Sequence, residues 1–555
     1  MNQHYQRLIK LLKPNTKEIG KVYTFAIFKG LIALSLPLGI QSIINLIQGG
    51  SVSSSWIVLS VIIAVGIGCN GYLQLMQMRI MENIQQQLFT KAAFDFTFQL
   101  PKIKLDAIRQ YYAPELMNRF FEVLTIQKSL SKVIIDLSSA VMQILLGLIL
   151  LSLYHPFFIM FSLSLVIIML LIIRFTTNNA MQSSLAESKY KYKVVSWLEE
   201  LARARHSFKL AGNTNMPIQK SDEYVAGYLK SREQHFSILR IQFKWLILFK
   251  ILVALFLLMA GGFLVINQQM NIGQFVAAEI IIMMVMEAAE KIMISLESVY
   301  DLFTAAQKLE QITELPIDTE SGKIDQLTQN QLGPLSVEIV GLDFAFASHH
   351  QLLFDDLNFK FEKGKKYYIS GKSGSGKSTL LHIITGLYQP SKGNICINDI
   401  PLANYGFGEL YRMIGNGLKE ESMFEGTILE NITLGREKVS IEDVQAVLEK
   451  VMLNTHVKTL PMGLMTTVHP QGNNLPSSII QKILLARTLV THPRLILLEQ
   501  SLDAIEETER KAIAEMLCAS PEWTLMVTGH QDFLQKKCDV CLELKEGKII
   551  VNNKI

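Results

Sequence analysis

Charged residues are scarce in this chain: Asp, Glu, Lys and Arg make up 18% of its 555 residues, against about 25% in soluble domains. With 49% hydrophobic residues and a mean hydropathy of +0.27, that shortfall excludes a wholly water-solvated chain and implies that part of it is solvated by lipid. The net charge is only +4, too small for the length to suggest a nucleic-acid partner. Cysteine is scarce as well, with five residues scattered at 69, 396, 518, 538 and 541. Cys538 and Cys541 form a lone CxxC beside what reads as a strand, Asp539 to Leu544. No second Cys or His pair accompanies them, which argues against a zinc or redox centre. No cleavable signal peptide is visible. The basic N-terminus (Arg7, Lys10, Lys13, Lys17, Lys21) leads into a full-length span, not into a short apolar region with a cleavage site. No internal repeat relates the helix pairs.

What the chain does have is long apolar runs. Six stretches of about 20 residues each are apolar enough to cross a bilayer. They run roughly over 22–47, 56–77, 133–154, 157–175, 245–267 and 273–297. Short turns near Gly49–Ser54, His155-Pro156 and Asn267–Asn271 alternate with two long polar segments, about 78–132 and 176–244. Those segments hold most loop cations, including Lys102, Lys104, Arg109, Arg119, Lys189, Lys191, Lys193, Arg203 and Arg205. The positive-inside rule therefore predicts that both long segments and both termini are cytoplasmic, in a plasma (inner) membrane protein. The long segments keep helical periodicity, so the spanning helices are expected to continue beyond the lipid. At this length several domains are expected. They read as a membrane domain over 1–310, a linker over 311–334 (Pro316, Gly322, Gln326–Gln331, Gly333-Pro334) and a strand/helix-alternating α/β domain over 335–555. The fold class is thus a six-span α-helical polytopic membrane domain followed by an α/β P-loop nucleotide-binding domain.

The most specific motif is Gly371-Lys372-Ser373-Gly374-Ser375-Gly376-Lys377-Ser378. Tyr367 to Ser370 ahead of it reads as a short buried strand, and Thr379 to Ile384 after it as a helix. In that setting the glycines let backbone N–H groups close around the β- and γ-phosphates of a nucleoside triphosphate. Lys377 supplies a point charge, and the Ser378 hydroxyl can ligate Mg²⁺.

Further motifs carry a family resemblance. Phe344-Ala345-Phe346 precedes the phosphate loop, and Phe424-Glu425-Gly426-Thr427-Ile428-Leu429-Glu430-Asn431-Ile432 follows it. Gln481 to Arg487 reads as a helix, Leu495 to Leu498 as an apolar strand, and His530 follows Val527-Thr528-Gly529. Over nearly its whole length the chain resembles one half of an ABC exporter of the type I class. It is most similar to type I secretion and bacteriocin-type peptide exporters, although no peptidase domain is expected ahead of the first span. The resemblance implies ATP and Mg²⁺ as ligands, adenine stacked on Phe346, and His530 as the switch histidine. It also implies that each nucleotide is sandwiched against a second half-subunit, here a second copy of this chain ahead of a different one. A periplasmic adaptor or other secretion component is a further implied partner.

The catalytic positions depart from the family pattern. Where the family's strand ends in Asp-Glu, this chain has Glu499-Gln500. Glu499 keeps the charge on a side chain one methylene longer and could reach the metal through water. Gln500 can position a water but cannot take its proton. The signature normally reads L-S-G-G-Q and here reads Leu475-Pro476-Ser477-Ser478-Ile479. Pro476 has neither hydroxyl nor N–H, although proline suits a helix start. Ser477 and Ser478 add side chains where glycines allow close approach. Lys419 stands at the metal-contacting glutamine of the family's Q-loop, and Pro470 at the acidic residue before the signature. The D-loop reads Asp503-Ala504-Ile505-Glu506. Replacing a general base commonly costs about 10²–10⁴-fold in rate. The expectation is a subunit that binds nucleotide well and hydrolyses it slowly or not at all.

In the sixth span, Glu279, Met283, Met286, Glu290, Met293 and Glu297 fall on one narrow stripe at about 100° per residue. Acidic groups in a membrane helix normally face a bundle interior or a water-filled cavity, and methionine adapts to varied apolar surfaces. The stripe is either a substrate path or ordinary helix packing with Glu290 and Glu297 beyond the lipid. Lys250 in the fifth span could pair with Glu290 or Glu287. Three functions compete: an exporter subunit moving a peptide, protein or other amphipathic substrate outward; a degenerate half paired with a complete partner; and an ATP-sensing scaffold that transports nothing.

Overall fold

The computed structural model describes residues 13–49, 54–108, 113–318, 333–346, 351–419, 422–529 and 532–552. Arg7, Lys10, Arg109, Glu420, His530 and most of the expected linker lie outside the described residues. The chain divides into two compact units, one of residues 1–101 and 107–315, the other of residues 102–106 and 316–555.

The first unit is helical. Six helices are long and apolar enough to cross a membrane: α1 Lys13–Gln48, α2 Ser55–Lys102, α3 Leu116–Tyr154, α4 Phe157–Arg203, α5 Met216–Ile266 and α6 Ile272–Thr313. They run to 36–51 residues, about 54–77 Å at 1.5 Å per residue, where a bilayer core needs about 30 Å. The expected continuation beyond the lipid is therefore present. Two of the helices are locally irregular. A turn at Leu34 with Pro37 just beyond it interrupts α1, and a π-helical turn over Lys132–Leu137 interrupts α3. The α3–α4 connection breaks cleanly because His155 is extended (φ −159°) and Pro156 opens the next helix. At the start of α6, the Asn271 side chain accepts the Gln274 N–H (2.7 Å) and the Gln274 side chain accepts the Asn271 N–H (2.9 Å). This reciprocal cap satisfies two orphan donors.

Burial is unequal among the spans. The most apolar window of α6 is 44% buried and that of α2 is not buried at all. Ala278 to Tyr300 of α6 joins one core with α3, α4 and α5. Leu302, Ala305, Leu309 and Ile312 join a second core with α1, α2 and α3. Outward residues of α2 such as Ile57, Val61 and Val65 remain 51–59% exposed, as a surface bathed in acyl chains requires.

The second unit is α/β. Its strands are β1 Val337–Phe344, β2 Phe354–Phe361, β3 Lys366–Ser370, β4 Lys392–Ile397, β5 Ile400–Pro401, β6 Ile414–Gly417, β7 Gly426–Thr427, β8 Thr467–Val468, β9 Leu495–Glu499, β10 Thr524–Thr528, β11 Val540–Lys545 and β12 Lys548–Asn552. One sheet has the order β12-β11-β3-β10-β9-β6, with β3, β6, β9, β10 and β11 parallel, and a second, antiparallel sheet runs β2-β1-β4-β5. The helices that carry the site are α7 Lys377–Ile384, α8 Ile428–Thr433, α9 Ile441–Lys450, α10 Ser477–Leu489 and α11 Glu507–Ala519. In β3 and β9, Lys366–Ile369 and all five residues of Leu495–Glu499 are buried. Near-continuous apolar strands of this kind are expected of a parallel sheet covered on both faces. The segment 102–106, from the end of α2, belongs with this unit. Ile103 bridges Ile317, and the Lys104 N–H donates to the Pro316 carbonyl at 2.9 Å.

Candidate functional site

In an open parallel sheet, ligands bind beyond the carboxyl ends of the strands. The residues singled out in the sequence gather there. The loop between β3 and α7 needs glycine at defined points. Gly371 has φ +149°, and a Cβ there would lie 2.6 Å from the Leu544 carbonyl oxygen and 2.8 Å from Ser375 Oγ. Gly376, at φ +100°, caps α7, and a Cβ would meet the Phe354 ring at 3.0 Å. No L side chain occupies such positions without strain. The Lys377 ammonium lies back over the loop and donates to the carbonyls of Gly371 (2.7 Å) and Lys372 (2.9 Å). Burial lowers its pKa, opposed by the negative charge of Glu499. Ser375 Oγ is buried without a partner among the described residues. Lys372, Ser373, Gly374 and Ser375 line a cleft of about 610 Å³ together with Phe346. Phe346 stands edge-on to Phe344 and Tyr388, with ring centroids at 5.1 and 6.0 Å. Thr379 is buried in the first turn of α7. The cradle of backbone amides, the orphaned hydroxyl and the adjacent aromatic face fit a nucleoside triphosphate.

Ser378 donates its hydroxyl hydrogen to the Glu499 carboxylate. That bond ties α7 to the end of β9, and Glu499 is 9% exposed. Gln500 follows in a left-handed conformation (φ +51°), its N–H held by the Thr528 carbonyl at 3.1 Å. Glu499, Gln500 and Lys419 share a smaller cleft of about 100 Å³ with Gln481. Ser378 and Glu499 are the hydroxyl–carboxylate pair that Mg²⁺ requires in phosphate-loop proteins. Lys419 brings a cation to the same cleft and has no oxygen to offer a metal.

Pro476 is the N-cap of α10, and Ser477 and Ser478 are its first residues. Pro476 is extended (ψ 145°) and caps without a side-chain bond. None of the three lines the two clefts described above. Gln481 was read only as part of a family helix, but its side-chain oxygen accepts the Ala504 N–H at 2.7 Å and so holds the D-loop to α10. The Phe424–Ile432 run also has a structural explanation. Thr427 and Glu430 form a reciprocal cap on α8. Buried Arg487 of α10 donates to the Asn431 carbonyl (2.7 Å), the Asn431 side chain (3.2 Å) and the Ser422 carbonyl (3.1 Å). Cys538 is buried and hydrogen-bonds with Cys518, not with Cys541. Among the described residues, no group of three or more His, Cys, Asp or Glu could hold a metal ion.

In the first unit, Glu290 is half-buried and bonded to Lys250, the pairing suggested by their depth. Glu297 lies 4.0 Å from Arg232. Met283 is 53% exposed and Met293 is 5% exposed. Met286 packs against the core of α3–α6, and Glu279 is half-buried. The stripe is thus divided between core and surface. A polar cavity of about 350 Å³ is lined on α6 by the adjacent positions Met284, Glu287 and Lys291. The clue to it in the sequence was that Lys29, Asp136, Glu287 and Lys291 all fall inside predicted spans.

These features define a multi-pass membrane chain joined to a phosphate-loop ATP-binding unit, and comparison with known proteins narrows the class. Residues 20–288 match the model for the ABC transporter transmembrane region, and residues 354–501 match the ABC transporter model. The chain belongs to the ABC transporters. It is 25% identical over 359 residues to the alpha-hemolysin translocation ATP-binding protein HlyB of Escherichia coli O157:H7, covering 64% of this chain and 50% of that protein. It is 25% identical over 284 residues to the colicin V secretion/processing ATP-binding protein CvaB of Escherichia coli, covering 51% and 40%. With ABC transporter B family member 14 of Arabidopsis thaliana it shares 28% identity over 222 residues, 40% of this chain and 18% of that protein. The chain thus spans half or less of the length of these relatives. Its fold is that of a bacterial Atm1-family ABC exporter solved with ATP bound, with TM-score 0.81, 17% identity, and 96% and 94% of the two chains covered.

Proposed function

We propose that this chain is the ATP-binding half of an exporter that moves a peptide, protein or other amphipathic substrate out of the cytoplasm and hydrolyses ATP slowly or not at all. The observation that carries the slow-hydrolysis reading is Gln500 at the end of β9, in one cleft with Glu499 and Lys419. A glutamine orients water but accepts no proton, and a lysine adds charge without a metal-binding oxygen. Binding is a separate matter. The loop from Gly371 to Ser378 holds the phosphates with backbone N–H groups and Lys377, and Phe346 takes the adenine. When bound, Mg²⁺ would neutralise developing phosphate charge, held by Ser378 with Glu499 behind it.

The working form is a dimer, with a second copy of this chain closing each nucleotide site through Pro476, Ser477, Ser478 and the switch position His530. The ATP-binding unit and both termini are cytoplasmic by the distribution of loop Lys and Arg. The secretion functions printed for HlyB and CvaB support peptide or protein as cargo. Glu279, Met283, Met286 and Glu290 border the path on α6, beside the polar cavity. Steady-state ATPase activity of the purified protein in nanodiscs, with Gln500→Glu alongside, tests the reading. Wild-type turnover of several per second, close to the roughly 10 s⁻¹ of a typical enzyme, would sink it.

A further inference from the structure

Four membrane helices bring charge to the 350 Å³ cavity: Lys29 from α1, Asp136 from α3, and Glu287 and Lys291 from α6. Glu287 and Lys291 have the i, i+4 spacing at which such pairs normally meet on a helix. Lys29 lies within electrostatic reach of both Lys291 and Asp136. Yet among the described residues no ion pair within 4.0 Å joins any two of the four. Charges inside a membrane protein are costly unless they are paired or have work to do, and two ammonium groups held near each other call for a shared anion.

The neighbouring amides are also left with capacity. Gln74 accepts from Lys29 (3.3 Å) and keeps its N–H groups, while Gln143 donates to the Met284 carbonyl (3.3 Å) and keeps its oxygen. Asn70 lines the same wall, and Ser139 Oγ is buried there without a partner. Asp136 enters from the π-helical turn of α3, a rare distortion that recurs at functional sites.

We propose that this cavity binds a short peptide segment carrying charge of both signs. An anionic group would sit between Lys29 and Lys291, an ammonium against Glu287 and Asp136, and backbone amides on Asn70, Gln74 and Gln143. The spare donor and spare acceptor match the N–H and C=O of a peptide unit, which favours peptide over a lipid headgroup that has no N–H and C=O pair in that arrangement. At about 350 Å³ the cavity is near the small end of ligand sites, enough for a few residues. The proposal rests on the exporter reading and specifies its cargo.

The test uses the full chain in phosphatidylcholine nanodiscs and three tritiated probes: triglycine, N-acetyl-triglycine and triglycinamide. Free triglycine should bind, and each blocked form should bind at least about tenfold more weakly. Lys291→Met should erase the preference for the free carboxylate and keep that for the free amine, and Glu287→Gln should do the reverse. Equal binding of all three probes overturns the proposal, as does a variant that weakens all three alike. Displacement by phosphatidylethanolamine added to the discs would assign the cavity to lipid and also overturn it. ATP-driven peptide flux, measured separately in proteoliposomes, distinguishes the two readings. Flux without charge preference removes only this inference, whereas charge preference without flux removes the exporter.

Discussion

Within the nucleotide-binding unit, β3 and β9 flank β10 in one parallel sheet, and the groups at their carboxyl ends differ in kind. Beyond β3 the site is made of backbone: Gly371 and Gly376 at positive φ, amides turned inward, and Lys377 laid across the loop. Beyond β9 it is made of side chains, Glu499 and Gln500, with Lys419 across the cleft. A backbone cradle tolerates no partial change, because a Cβ at Gly371 meets the Leu544 carbonyl. A side-chain site can exchange carboxylate for amide and leave the fold intact. Nucleotide binding and hydrolysis therefore sit on different materials, and one can be lost without the other.

The widest gap between the two sides should appear when the β9 side is rebuilt. Gln500→Glu alone should raise ATP turnover less than tenfold, because the partner-side donors would still be missing. Adding Pro476→Ser, Ser477→Gly and Ser478→Gly should raise it by about 10²-fold or more, beyond the product of the separate effects. Phosphate release in nanodiscs measures both, and a quadruple variant that binds ATP but stays inactive would move the main lesion to Lys419. On the β3 side, Lys377→Ala should weaken a fluorescent ATP analogue by at least about tenfold, the loss expected for a charge-assisted contact. Unchanged affinity would place the nucleotide elsewhere.

The bond joining the two sides should matter to stability more than to affinity. Ser378→Ala leaves the nearly buried Glu499 without its hydroxyl donor and should cost about 1–3 kcal/mol, read as a fall in the unfolding midpoint without nucleotide. The smallest effect should come from Asp443 on α9, outside both sides. The His492 hydrogen bond, then the Ser440 backbone N–H, hold its pKa down from 3.8 to about 2. A depressed carboxylate contributes stability above its unfolded pKa and loses it as pH falls through the folded one. Asp443→Asn should therefore flatten the fall in thermal stability between pH 4 and pH 2, and an unaltered slope would show that the pair contributes nothing.

Much of this was legible in the chain because it rests on local rules. Apolar runs marked the six spans, charge in the long loops matched their extension beyond lipid, and the spacing of Gly371, Gly376 and Lys377 announced the phosphate loop. Depth along the spans even suggested the Lys250–Glu290 pair. What escaped is set by packing between helices. Periodicity places Met286 and Met293 on one face of α6, but only the neighbouring helices decide that this face meets a core and that Glu287 and Lys291 open on a cavity. Asp136 gave no sign of its turn, because a π-helical turn has no residue signature of its own. Pro476 to Ser478 stand at a helix start, as proline predicts, and their role depends on a second chain.

The π-helical turn in α3 also bears on chain length. Between Lys132 and Leu137 the helix holds one residue more than regular α-helical bonding needs. Removing a single residue there would restore an unbroken helix and rotate everything on one side of the gap by about 100°. Ser139 and Gln143 would then turn away from the wall they now share with Asp136. Most membrane helices cannot lose a residue without shifting every neighbour. Here one deletion would act as a dial, resetting which groups α3 presents to the cavity while its ends stay anchored.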